Sequence, residues 1–250
     1  MNIQYCSDLH LEFEENKRFL RQNPIIPKAD ILVLAGDIVP FKELKQHDYF
    51  FNYVSKNWKH VYWIPGNHEY YRSDILDRSG KFIEKIMENV SLLNHYAIEI
   101  DDVRLIFSTM WTHVSPRFDV IISQGLNDFK QIKINKKRFT IEAYNQFHIL
   151  ALDFLYHEIV KPFDGKKIVV THHVPTFLNW NPEYKVSHLN EAFGVELHDL
   201  IQTLAPNYWI FGHDHYRRDP FQIGKTTLLT NQLGYVFCGE HHGFNREAVI

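Results

Sequence analysis

Five short runs concentrate side chains that bind divalent cations: Asp8-Leu9-His10, Gly36-Asp37, Gly66-Asn67-His68-Glu69, Thr171-His172-His173 and Gly212-His213-Asp214-His215. Histidine is the commonest metal ligand and titrates near neutral pH. The chain has 16 histidines, and where they sit is more informative than how many there are. In Asp8-Leu9-His10 and His213-Asp214-His215, residues i and i+2 of an extended segment point the same way, so each pair can reach one ion. The glycines in three of the five runs suit sharp turns with close backbone approach. Singly, each run is ordinary: an Asp-x-His is usually a surface pair, and a Gly-Asp after a strand is usually a turn or a helix cap. All five in this order, each behind a run that reads as a strand, predict a metal site.

The strands expected to carry these runs are Ile3–Cys6, Ile31–Ala35, 61–64, 103–107, 168–171 and Tyr208–Phe211. Most are almost continuously apolar, as strands covered on both faces are. Helical patterns lie between them. Leu44, Phe51, Val54 and Trp58 share one face of a helix expected after Pro40, and 75–87 is a second helical candidate. Thr140 reads as the N-cap of a long helix running to about Ile159. Leu197, Leu200, Ile201 and Leu204 form a shorter amphipathic stretch stopped by Pro206. Strands alternating with helices indicate an α/β layered fold. Thr226–Thr230 and 248–250 read as extra strands of a second sheet. The segment 111–138 has no clean period and reads as an excursion that carries a helix and covers the site. No repeat or linker is visible, so a single domain over 1–250 is expected.

At this point the chain resembles the calcineurin-like metallophosphoesterases, whose signature runs Asp-x-His, Gly-Asp, Gly-Asn-His-Glu/Asp, His, Gly-His-x-His. Every element is present between Tyr5 and His215. Met110-Trp111, Asn127-Asp128-Phe129, the stretch from Ser187 to Phe193, and Gly234-Tyr235 resemble a bacterial subgroup of predicted phosphoesterases. The resemblance implies two mixed sheets packed face to face with helices outside, a four-layer α/β/β/α sandwich. It also implies two divalent metal ions. Asp8, His10, Asp37 and His215 would hold one and Asp37, Asn67, His172 and His213 the other, with Asp37 and a hydroxide bridging. Carboxylate, amide and imidazole ligands without thiolate suit Mn, Fe or Zn. Two such metals lower the pKa of a shared water, which attacks phosphorus. The same pattern makes His68 the catalytic residue, donating a proton to the leaving oxygen. Because imidazoles must be neutral to bind, metal affinity is expected to weaken below about pH 6.

Protein Ser/Thr phosphatases of this superfamily extend Gly-Asp to Gly-Asp-x-Val-Asp-Arg-Gly. Here the chain reads Gly36-Asp37-Ile38-Val39-Pro40-Phe41. The Asp that would orient the catalytic His and the Arg that would clamp phosphate are both missing. A monoester dianion needs more positive charge around it than a diester, so small phosphodiesters are the expected substrates. Tyr70, Tyr71, Trp111 and Trp180 could wall the second ester group, and Arg72 or Arg217 could replace the missing clamp. His173, Asn190 and Arg217 are the candidate substrate contacts, with His188 beside Asn190. Arg217 and Arg218 otherwise read as an exposed basic pair, His113 as a surface residue, His241 and His242 as a polar turn, and Glu69 as a support of its own turn.

The balance of charge sets bounds on partners. Lys+Arg is 27 and Asp+Glu is 30, a net charge of −3, which gives no encouragement to nucleic-acid or anionic-membrane binding. The first residues carry neither a basic cluster nor a long apolar run, so a secretory leader is not expected. Two cysteines, Cys6 and Cys238, both beside apolar residues, read as buried thiols in a reducing cytoplasm. Two other readings stand beside the phosphoesterase: a non-catalytic scaffold on the same fold, which is free to lose ligands, and a nuclease, which wants a basic groove.

Overall fold

The computed structural model describes residues 2–250. The first sheet contains β1 (Ile3–Cys6), β2 (Ile31–Ala35), β3 (His60–Ile64), β4 (Phe82–Met87) and β5 (Val90–Asn94), in the order β1-β2-β3-β5-β4. Its strands are parallel except β4. The second sheet draws on β6 (Tyr96–Ile100), β7 (Val103–Ser108), β10 (Lys166–Thr171), β11 (Tyr208–Phe211), β12 (Phe221–Ile223) and β13 (Thr226–Thr230). Its order is β12-β13-β11-β10-β7-β6, with β12 and β6 antiparallel to their neighbours. A small hairpin, β8 (Lys133–Ile134) and β9 (Lys137–Arg138), stands apart.

Alternate side chains on each central strand go to different layers. Ile31, Val33 and Ala35 of β2 meet Leu105, Phe107 and Val170 between the sheets. Leu32 and Leu34 instead pack under α1 (Glu14–Gln22) and α2 (Asp48–Asn57), against Leu20, Phe51 and Val54. On the far side Ile106, Val169 and Trp209 pack against α5 (Ile141–Val160) and α6 (His198–Leu204), through Leu155, Ile159 and Ile201. This is the expected α/β/β/α sandwich of two mixed sheets, and burial on both faces explains the continuous apolar runs. Among the described residues no helix is long and apolar enough to cross a membrane.

Four expectations need correction. Residues 75–87 are not a helix: a short 3-10 turn, Ile75–Arg78, gives way at Gly80 (φ 67°) to the edge strand β4. Apolar residues at 82, 83, 86 and 87 satisfy either period, and pairing with β5 decides the outcome. Residues 248–250 do not join the second sheet. They run beside β1, where Ile3 N–H donates to Ile250 O and Ile250 N–H to Ile3 O, both at 3.0 Å, so the chain end covers the open edge of the first sheet. Both cysteines are free, as expected, but only Cys6 is buried; Cys238 is exposed. The helix expected after Pro40 is a 3-10 turn, Phe41–His47, followed by α2.

The excursion at 111–138 carries α3 (Asp119–Gly125) and α4 (Asp128–Gln131) around an aromatic cluster that includes Trp111, Phe129, Phe139 and Tyr144. Behind it, α5 begins as expected: Thr140 accepts a hydrogen bond at its side chain from Ala143 N–H at 3.2 Å. Removing that cap leaves a first-turn donor unpaired, so Thr140→Ala should lower stability by about 1 kcal/mol in denaturant titration, with Thr140→Ser close to wild type.

Candidate metal centre

Every chemically active run lies just past the carboxyl end of a parallel strand: β1 for Asp8 and His10, β2 for Asp37, β3 for Asn67 and His68, β10 for His172, β11 for His213 and His215. The two sheets bring these ends together. Asp8, His10 and His215 offer ligand atoms within 4.8 Å of one another, and so do Asp37, His172 and His213. Asp37 lies between the groups, its Oδ2 3.7 Å from His10 Nε2 and its Oδ1 3.4 Å from His172 Nε2.

The local backbone differs from the extended geometry inferred from sequence. Asp8 (φ 55°), His10 (φ 46°), Asp37 (φ 54°), His213 (φ 82°) and His215 (φ 49°) all adopt left-handed conformations. These side chains converge because the backbone turns sharply at each one, not because a strand continues. Two glycines leave the room: a Cβ at Gly36 would overlap the His172 ring, and one at Gly66 would overlap the Asp37 carboxylate.

The hydrogen bonds show what the cluster is built to hold. His10 Nδ1–H donates to Glu12 Oε1 at 3.1 Å and His215 Nδ1–H to Glu240 Oε2 at 2.7 Å. Their Nε2 atoms, 2.9 Å apart, are then both lone pairs, given that their partners only accept. His172 Nδ1–H donates to Ala35 O at 3.0 Å, which aims its Nε2 lone pair at Asn67 Oδ1, 3.2 Å away. The Asn67 amide cannot turn to relieve this, because its Nδ2 donates to Asp128 Oδ1 at 2.9 Å. Acceptors that face one another in a buried site need a cation between them, and carboxylate, amide and imidazole suit a divalent ion. The residues fit the metal pair that the sequence implies.

Five supporting residues lay outside the expected ligand set. Glu12 Oε1 accepts from both His10 and, at 2.8 Å, His68 Nδ1–H. Asp128 and Tyr71, themselves joined at 2.9 Å, bracket Asn67, and Glu240 backs His215. Tyr235 OH lies 3.4 Å from His68 Nε2. Asp128 and Tyr235 stand in runs already noted for their resemblance. Glu12 was legible only as one more i+2 step beyond His10. Glu69 supports its turn as expected, accepting from the backbone N–H of Asp37, Ile38 and Gly66 and from Trp63 Nε1–H at 2.7–3.1 Å.

The other candidates divide. Asn190 lines the cleft and donates to Tyr184 O at 2.7 Å. His173 is fully buried behind the ligands, against Thr109 O and Trp111. Arg217 lines a separate 190 Å³ cavity beyond His215 and Glu240. Arg72 is ion-paired with Glu43. Arg218 is buried against Asp214 and is no exposed cation. Tyr71 and Trp180 do wall the cleft, whereas Tyr70 and Trp111 belong to the aromatic core. His188 stacks on Phe118.

Without a cation the carboxylates draw protons instead. Burial opposes the charge, yet Asp37 raises His172 to about 9, and Asp8 with Glu240 raises His215 to about 10. A raised pKa means that the metal-free protein keeps these protons through neutral pH, so a metal must displace them. The window for pH-dependent binding therefore lies above the value of about 6 inferred from free imidazole. Mn²⁺ affinity should rise from pH 7 to pH 9, with about two protons released per loaded chain at pH 7.5 in calorimetry across buffers. Constant affinity over that range would contradict the assignment.

The chain matches the calcineurin-like phosphoesterase family over residues 1–217. It is 33% identical to an uncharacterized protein of Acanthamoeba polyphaga mimivirus over 279 residues, covering 99% of this chain and 95% of that one. The structure overlays on phosphopantetheinyl hydrolase from Mycobacterium tuberculosis with a TM-score of 0.61, covering 94% and 89% of the two chains; at 13% identity the likeness is one of fold. By the extent of that family match, and with the motif residues gathered where the strands end, the chain belongs to the calcineurin-like phosphoesterases.

Proposed function

We propose that the protein hydrolyses small phosphodiesters with two divalent metal ions. The observation that carries this reading is the set of acceptors directed at one another around Asp37, with His68 beside them. Asp8, His10, Asp37 and His215 would hold one ion and Asp37, Asn67, His172 and His213 the other, with Asp37 shared. When bound, such a pair supplies positive charge for the phosphoryl oxygens and lowers the pKa of a shared water; the donor set suits Mn, Fe or Zn.

The chain's own residues supply the proton. His68 packs on Tyr71, ring centroids 4.2 Å apart, and its Nδ1 is held by Glu12. That leaves Nε2 to face the cleft. Burial disfavours its charge, but Asp37 and the Glu12 hydrogen bond raise its pKa, as a general acid requires. Water attacks phosphorus opposite the departing ester oxygen, the P–O bond breaks, and His68 gives its Nε2 proton to that oxygen. Glu12 thus does from the first motif what an Asp after Gly-Asp does in the Ser/Thr phosphatases.

The charge of the cleft supports a diester substrate. The cavity at the site is 530 Å³, and among the described residues no Lys or Arg lines it. A monoester dianion would meet no guanidinium clamp. The same observation speaks against a nuclease: Lys133, Lys136, Lys137 and Arg138 line a different groove, around the β8–β9 hairpin. A scaffold need not keep its ligands, and here all seven positions and His68 converge. Two free thiols support a reducing cytoplasm as its location, and we read 1–250 as one catalytic domain.

Asp37→Asn should lose at least one metal and nearly all activity. His68→Ala should bind two metals and lose roughly 10²–10⁴ in kcat. Glu12→Gln should stay folded and loaded but lose about 10–100-fold, more with poor leaving groups than with p-nitrophenolate; an equal loss for both would remove Glu12 from proton delivery. A separate expectation concerns substrate class: kcat/KM for bis-p-nitrophenyl phosphate should match or exceed that for p-nitrophenyl phosphate at one metal and pH, and a clear monoester preference would overturn the diester reading.

A further inference from the structure

We infer that the organic group held in the cleft beside the phosphate is uncharged and hydrogen-bonding, and that esters carrying a second anionic group are rejected. This rests on the phosphodiesterase reading above. A cavity of 530 Å³ has room for more than a phosphate group. Opposite the metal-ligand cluster, its wall comes from the loop around Asn127 and from residues 180–193. Trp180, Tyr184 and Phe193 give that wall its apolar surface, and Asn181, Ser187 and Asn190 give it neutral polar groups.

Among the residues that line the cleft on this side, every carboxylate except one is already engaged. Asp128 is held by Asn67 and Tyr71, and Glu240 by His215. Asp214 is held by Arg218, which also donates to Asn179 O and Tyr216 O. That guanidinium lies 5.8 Å from the centre of the Trp180 ring, but it does not line the cleft, and neither does Lys185, which is exposed on the same segment. Glu183 is the exception, and it is exposed and acidic.

An anionic arm placed here would meet aromatic rings and a carboxylate, with no cation among the lining residues, a costly desolvation. A cationic arm would gain little from an exposed carboxylate and would itself lose hydration. An arm bearing amide or hydroxyl groups avoids both costs and finds partners in the asparagine and serine side chains. The absence of Lys and Arg therefore selects the organic group as well as the phosphate.

The test uses three methyl phosphodiesters whose second group is 2-acetamidoethyl, 2-(trimethylammonio)ethyl or 2-carboxyethyl, followed by phosphorus NMR on the Mn²⁺-loaded full chain. The acetamide ester should exceed the carboxylate ester by about tenfold or more in kcat/KM, with the trimethylammonium ester below the acetamide. Binding of the three esters to the loaded His68→Ala protein, measured by calorimetry, should follow the same order. Asn181→Lys, or Ser187→Lys if the first variant does not fold, should raise kcat/KM for the carboxylate ester toward that of the acetamide. Equal turnover of the acetamide and carboxylate esters, a trimethylammonium ester that is the best of the three, or no gain in the lysine variants would overturn the inference. Bis-p-nitrophenyl phosphate serves as the control: if it is not hydrolysed at all, the phosphodiesterase reading has failed; if it is, a failure among the methyl esters concerns the arm alone.

Discussion

The architecture of the site follows from one electrostatic constraint: acceptor atoms from five strand ends are buried facing one another, with the Asp37 carboxylate among them. Such an arrangement is unstable without a cation or protons, and the raised pKa values of His172 and His215 show the carboxylates drawing protons in when no cation is present. Directing seven side chains to one place also costs backbone energy. Five of the seven residues are left-handed, at about 1 kcal/mol each for residues other than glycine, which is comparable with much of a domain's net stability. The two sheets offset that cost, because buried strands on both sides leave the loops at their ends little freedom to relax.

A second set of carboxylates keeps the first in place. Glu69 gathers backbone donors from the Asp37 and Gly66 loops, tying the ends of β2 and β3 together. Burial and the neighbouring Asp37 charge push its carboxyl up to about 8, against the pull of those N–H donors. Glu12, Asp128 and Glu240 act at a finer level: each fixes a tautomer or an amide orientation, and so decides which atom of its partner faces inward. Glu12 is shared between His10 and His68, so one carboxylate joins the orientation of a metal-type side chain to that of the imidazole proposed as the proton donor. Burial opposes its charge, but the two imidazoles hold its pKa down at about 2.

What was legible in the sequence follows the same division. The parallel strands were readable because both of their faces are buried, and the motif order because each run follows such a strand. The edge strand β4 was not, since its half-exposed pattern, with Ile83 45% exposed, fits a helix as well as a strand until β5 pairs with it. The convergence of Asp8 with His10 was anticipated for the wrong reason, since alternation along a strand gives the same outcome as two left-handed turns. Glu12 and Glu240 carried no motif of their own, and their role depends on which imidazole lies within reach in three dimensions. Arg217 was a reasonable clamp from its distance along the chain to His215, but its side chain packs against Gly243 in a different cavity.

The cleft's lack of side-chain cations links these levels. With no Lys or Arg along it among the described residues, positive charge at the phosphoryl oxygens would come, on the proposed reading, from ions held by the cluster and from a protonated His68. Discrimination between substrates is then not the work of a separate clamp. It depends on how much net charge the loaded cluster presents, and Asp8 and Asp37 set that charge directly, with Glu12, Asp128 and Glu240 acting through the groups they orient. Glu12 joins proton delivery to metal affinity, because one carboxylate holds both His68 and His10, whereas Asp128 and Glu240 each act through a single side chain of the cluster. In the Ser/Thr phosphatase pattern, by contrast, the Arg after Gly-Asp gives phosphate recognition a residue of its own. Here Pro40 and Phe41 stand where that pattern has its Asp and Arg, Pro40 buried and Phe41 packed against the core clusters beside the site, so the positions that would orient and clamp elsewhere serve packing.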